Sequence, residues 1–133
     1  MEYCFDTNTI IHLIRGTPIV QKNKKKAQSD GSRFIIPPVV NYEILRGLII
    51  KPISKHEKAY AIICENCSSE EMTVEAWECA ARIYAELYEK HLTVEDADIM
   101  IAAFCMVNDY TLVTANTKDF ENIDGLQLVN WAE

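Results

Sequence analysis

The chain has 133 residues, 49% of them hydrophobic, with 20 acidic against 13 basic side chains and a net charge of −7. That is enough apolar material for one core without disulfides or a structural metal, and too much for a disordered chain. The acidic balance excludes a protein that grips nucleic acid through its bulk charge, so any such role needs a local basic patch or bound cations.

Residues 2–6 read as a buried strand, and 8–15 as a short helix stopped by Gly16 and Pro18. A polar helix is predicted over 18–28, carrying Lys22, Lys24, Lys25 and Lys26, with a turn at Ser29-Asp30-Gly31-Ser32 behind it. Phe34-Ile35-Ile36 forms a second strand that Pro37-Pro38 ends, and proline suits the first turn of the next helix, VVNYEILRGLI. Another helix covers roughly 55–66. Between 75 and 90, Ala76, Ala80, Ile83, Tyr84, Leu87 and Tyr88 recur at three- and four-residue steps, which predicts an amphipathic helix. A further helix runs from about 96 to 108, a strand covers Thr111 to Thr114, and a last strand covers Leu126 to Val129 after Asp124-Gly125. Strands separated by helices predict an α/β sandwich around a mainly parallel central sheet. Sites in such sheets gather beyond the carboxyl ends of the strands, where Asp6 and Thr114 both fall.

Apolar stretches such as Ile99 to Val107 are far too short for a membrane span, and no basic segment leads into an apolar run at the N-terminus. The expectation is a cytoplasmic protein. Cys64-Glu-Asn-Cys67 has the spacing of a redox pair or half a zinc site, but no second pair accompanies it and His12, His56 and His91 are scattered. The five cysteines read as reduced structural thiols.

Four segments set polar residues against apolar surroundings: FDTN at 5–8, NYEILRG at 41–47, EDADIMIAA at 95–103 and TANTKDF at 114–120. Each has a plain structural explanation. Asp6, Thr7 or Asn8 suits a helix cap; Glu43 suits an exposed helical position paired with Arg46; Asp96 and Asp98 suit a helix N-terminus, with Thr93 and Asp96 as a capping box; the last segment suits a turn. Together they place carboxylates at strand ends and on the helices that pack around them. Such acids repel one another unless some are protonated or a cation joins them, and ligation by oxygen alone favours Mg²⁺ or Mn²⁺ over zinc.

In this order and spacing, DTN near the N-terminus, EILRG, DIMIAA and TANTKDF before a final strand and Trp131 resemble the PIN-domain ribonucleases, in particular VapC-type toxins. The resemblance covers essentially the whole chain and implies a single PIN domain at 1–133. Carried over position by position, it makes Asp6, Glu43 and Asp98 the three metal-binding, catalytic acids, with Mg²⁺ or Mn²⁺ as cofactor. Many members have a fourth acid where this chain has Asn116, so Asp119 and Asp96 become candidates for the missing charge. Asp96 and Asp98 diverge by roughly 200° on a regular helix, so only one faces the pocket, and the motif points to Asp98.

The implied reaction is hydrolysis of RNA phosphodiesters, leaving a 5′-phosphate and a 3′-hydroxyl, with Thr7, Asn8, Thr114 and Asn116 holding ligands and water. Arg15, Arg46, Lys24 and Lys25 are the expected cations for steering the RNA backbone. A VapB-like antitoxin with a basic C-terminal segment and a homodimer are the implied partners. A non-catalytic PIN-like module that binds RNA or protein is the main rival, and Asn116 gives it weight. An aspartyl phosphotransferase fits less well, because DTNT lacks the second acid of a D-x-D-x-T motif, and a phosphoaspartate receiver is similarly disfavoured.

Overall fold

Residue periodicity and proline placement lay out alternating strands and helices, and the computed structural model describes residues 1–133 in that form. The elements are β1 (Glu2–Phe5), α1 (Thr7–Arg15), α2 (Pro18–Ser29), β2 (Arg33–Ile36), α3 (Pro38–Ile50), α4 (Ser54–Glu65), β3 (Ser68–Ser69), α5 (Val74–Glu89), α6 (Asp96–Val107), β4 (Thr111–Val113), α7 (Thr117–Phe120) and β5 (Leu128–Val129). The strands form one sheet in the order β3-β2-β1-β4-β5, and every pairing is parallel.

Two elements, β3 and α7, are not among those predicted from the sequence. β3 has only two serines and no apolar signal; it exists because Ser68 and Ser69 register against Ile35 and Ile36 of β2. α7 falls inside the segment expected to be a turn, where Asp119 N–H donates to Asn116 O at 3.0 Å and buried Phe120 pins the single turn to the core. The last strand is also shorter than expected, because Leu128 and Val129 alone pair with β4.

Alternation along β1 sends Tyr3 and Phe5 to one face and Cys4 to the other. On the first face, Phe5 stacks on Phe34 at 5.4 Å between ring centroids, and Trp131 leans on Tyr3 at 5.1 Å and on Phe5 at 5.7 Å. Asn23 of α2 donates to Trp131 O at 2.9 Å, which ties the C-terminal residues over that face. On the other face lies α6, where Ile99, Ile101, Ala102, Ala103, Phe104 and Cys105 are all buried. α5 packs along α6 through Ala76, Ala80, Ile83 and Leu87, whose small residues let the helices approach. All five cysteines are free thiols, with Cys4 and Cys105 buried. No helix is long and apolar enough to cross a membrane.

The strand order fixes where a site can form. From β1 the chain moves outward to β2 and β3, then returns across the sheet to β4 on the other side of β1. The connections after β1 and β4 therefore leave in opposite directions, and a crevice opens at their carboxyl ends.

Candidate active site

Asp6 is the first residue beyond β1, and its backbone N–H still bonds to Val113 O of β4 at 3.3 Å. Its side chain caps α1: Oδ1 accepts the Thr9 N–H at 2.8 Å, while Thr9 Oγ1 donates to Val113 O at 2.8 Å. Of the three cap candidates, Asp6, Thr7 and Asn8, it is Asp6 that caps, because α1 begins at Thr7, one residue earlier than the apolar pattern indicated. Only 4% of Asp6 is exposed. Burial pushes its carboxyl above the ordinary range, and hydrogen bonding from Thr114 and Thr9 pulls partly back. Thr114, fully buried beyond β4, also accepts the Asn116 N–H at 3.0 Å and so shapes the turn into α7.

Glu43 enters from α3. Its Oε1 accepts the Thr7 hydroxyl at 2.7 Å, and its Oε2 meets the Arg46 guanidinium at 3.5 Å. Asp98 enters from the first turn of α6, half-buried. Its carboxyl is pushed from 3.8 to about 6, first by burial and then by the charges of Asp119, Glu95, Asp6 and Glu43. Those charges sit at the end of β1, on α3, on α7 and just before α6.

The cleft bounded by these residues has a volume of about 410 Å³. Five acids line it, Asp6, Glu43, Glu95, Asp98 and Asp119, together with Thr7, Asn8, Asn116 and Asn122. The wall comes from Leu92, Thr93 and Val94, a turn entered through His91, whose φ of 58° is the left-handed conformation that reverses the chain after α5. Asp96 does not line the cleft and is exposed; no bond joins it to Thr93, and Glu95 holds the cap position of α6. The 200° divergence from Asp98 accounts for this.

None of the expected cations lines the cleft, though Arg46 pairs with one of its acids. Arg46 lies over the Tyr42 ring at 5.1 Å while paired to Glu43. Arg15 lines a separate groove between α1, α3 and α4 that shares Thr7 and Glu43 with the cleft. Lys24 and Lys25 do not line the cleft; Lys24 Nζ sits 5.8 Å from the Phe34 ring. Sequence reasoning missed Lys118, Glu95 and Asn122, although Lys118 and Glu95 lie within the TANTKDF and EDADIMIAA segments.

Oxygen donors alone suit a hard divalent ion such as Mg²⁺ or Mn²⁺. As posed, no three Asp, Glu, His or Cys side chains stand close enough together to clasp one ion. The fit therefore depends on side-chain movement. Asp6 is fixed by its cap, whereas Asp98 is half-buried and Asp119 exposed, with room to turn inward. The crowding that raises the Asp98 carboxyl is what a cation would relieve.

The PIN domain family model matches residues 3–126. Ribonuclease VapC1 of Rickettsia felis is 33% identical over 97% of this chain and 96% of its own length. Ribonuclease VapC of Rickettsia bellii is 31% identical over the same shares, 97% and 96%. Among solved structures, VapBC2 from Rickettsia felis bound to a promoter DNA fragment superposes with a TM-score of 0.89 at 24% identity, covering 98% of this chain and 99% of that one. VapBC-1 from nontypeable Haemophilus influenzae superposes with a TM-score of 0.88 at 20% identity over 100% of both chains.

Proposed function

This chain belongs to the PIN-domain family and to its VapC branch, and from that premise we propose that it is a divalent-metal-dependent endoribonuclease, the toxin half of a toxin–antitoxin pair. The observation that carries the reading is the convergence of Asp6, Glu43, Asp98 and Asp119 on one cleft at the switch point of the sheet. The cap made by Asp6 and the bonds of Glu43 to Thr7 and Arg46 do not require four carboxylates from four elements to share one cleft, where gathering like charges costs free energy.

In this mechanism Asp6, oriented by the Thr9 N–H, would hold Mg²⁺ or Mn²⁺ together with Asp98 from the first turn of α6. Glu43, oriented by the Thr7 hydroxyl, serves as a further ligand or as the base that orients the attacking water. Asp119 is the fourth carboxylate, in place of Asn116 at the usual position. The bound ion supplies Lewis acidity, favouring deprotonation of water and offsetting charge on the phosphate. The rival reading of a binding module without catalysis drew its weight from Asn116, and Asp119 in the same cleft counts against it.

The surfaces also support the two protein partners. Ile11, Ile14, Ile44, Leu48 and Ile53 line an apolar groove of about 310 Å³ that adjoins the acidic cleft through Thr7 and Glu43. A VapB-like antitoxin is read as laying an apolar segment there and its basic tail in the cleft. Val74, Trp77, Tyr84 and Tyr88 form an exposed stripe along α5, suited to a homodimer.

The test is cleavage of structured RNA with Mg²⁺ or Mn²⁺, with and without chelator. Asp6→Asn and Asp98→Asn should each abolish cutting that the chelator also stops. Unchanged cleavage by both variants would overturn the assignment.

A further inference from the structure

The cleft contains five acids and one base. Lys118 is the only basic side chain lining it, although the chain has 13 lysines and arginines. The other cations near the site are engaged or displaced: Arg46 is paired with Glu43 and stacked on Tyr42, and Arg15 belongs to the neighbouring groove. Lys118 forms no ion pair with any acid of the cleft; the four ion pairs of the molecule all lie between other residues. It is therefore not held as an internal counter-ion.

Its position is nevertheless defined. Thr114 accepts the Asn116 N–H at 3.0 Å, Asp119 N–H closes onto Asn116 O at 3.0 Å, and Phe120 is buried to 1% exposure. With Phe120 as anchor, the single turn of α7 presents Lys118 and Asp119 side by side to the cleft. A lysine is a compact charge with three donors on a flexible stem, suited to following an oxyanion.

On the nuclease reading above, we propose that Lys118 is a substrate-contacting residue that binds a non-bridging oxygen of the RNA phosphate at the cutting site. The substrate must enter a cleft whose carboxylates repel it. A divalent ion screens part of that field, and Lys118 adds the one protein cation that lines the cleft. The position thus recruits the diester while its neighbour Asp119 serves the ion.

Three measurements on the full chain with Mg²⁺ decide this: kcat and KM for one RNA over a range of salt, Mg²⁺ affinity by titration calorimetry without RNA, and thermal unfolding. Lys118→Met should lower kcat/KM by about tenfold to a hundredfold, the scale of a charge-assisted hydrogen bond. Lys118→Arg should restore most of it. The plot of log kcat/KM against log salt should become shallower by about 0.7 in the Met variant, one phosphate contact on a single strand. Its Mg²⁺ affinity and melting temperature should not fall. A Met variant that cuts like wild type with the same salt slope overturns the assignment of Lys118 alone. So does one that loses activity through weaker Mg²⁺ binding or a lower melting temperature with the slope unchanged. A wild type that cuts no RNA overturns the nuclease reading and this inference with it.

Discussion

Two carboxylate sites in this molecule are built on opposite principles. Glu70, after β3, accepts the Tyr110 hydroxyl at 2.6 Å on Oε1 and the Arg33 guanidinium at 3.1 Å on Oε2. The protein supplies everything that carboxylate needs. The cleft beyond β1 and β4 holds five acids against a single lysine, and burial and mutual repulsion lift Asp98 to about 6. A satisfied carboxylate is structural; a group of acids left crowded is held for something that arrives from outside.

The sharpest way to break this contrast is to neutralise one acid in each place. Asp6→Asn should reduce RNA cleavage by at least about a hundredfold, the scale of removing a preorganised electrostatic group from an active site. Glu70→Gln should leave cleavage within about twofold of wild type. Equal losses in both would dissolve the distinction. Next in size, Asp119→Asn should cost about tenfold or more in kcat/KM, and Asn116→Ala less than that, measured on the same RNA. The reverse ranking would return the fourth ligand to position 116.

Acidity sharpens the comparison further. Because Asp98 holds its proton more tightly folded than unfolded, the native state binds the extra proton between 3.8 and about 6. Stability of the metal-free protein should therefore fall as pH rises through that window and level off above it. Asp98→Asn should flatten the dependence, and saturating Mg²⁺ should weaken it by favouring the charged carboxylate; denaturant titrations at stepped pH measure both. The smallest effect belongs to the satisfied site. Tyr110→Phe removes one hydrogen bond to Glu70 and should lower unfolding stability by about 1 kcal/mol without touching cleavage.

Most of the architecture was legible because it rests on local signals. Buried strands announced themselves as apolar runs ended by Asp6 or Pro37-Pro38, and α5 by three- and four-residue spacing. β3 was not legible, since two serines have no strand preference and pair only because β2 presents an open edge. α7 was missed because its one turn depends on Phe120 reaching the core, which is a tertiary fact. In the site, helical angle showed that only one of Asp96 and Asp98 could face the cleft, and the motif picked Asp98. The cations were not legible, because Lys24 and Lys25 look like a basic patch in one dimension yet neither lines the cleft, and Lys24 lies over Phe34.

What the sequence determined by itself is the inventory: alternating strands and helices, acids at strand ends and first turns, and motifs in an order that resembles one family. Those features depend on residues close together along the chain. Which acids meet, which lysine joins them and which residue caps α1 were decided only by the fold. The reversal of strand order at β1 and β4 opens one crevice, and only three-dimensional packing determines what faces into it.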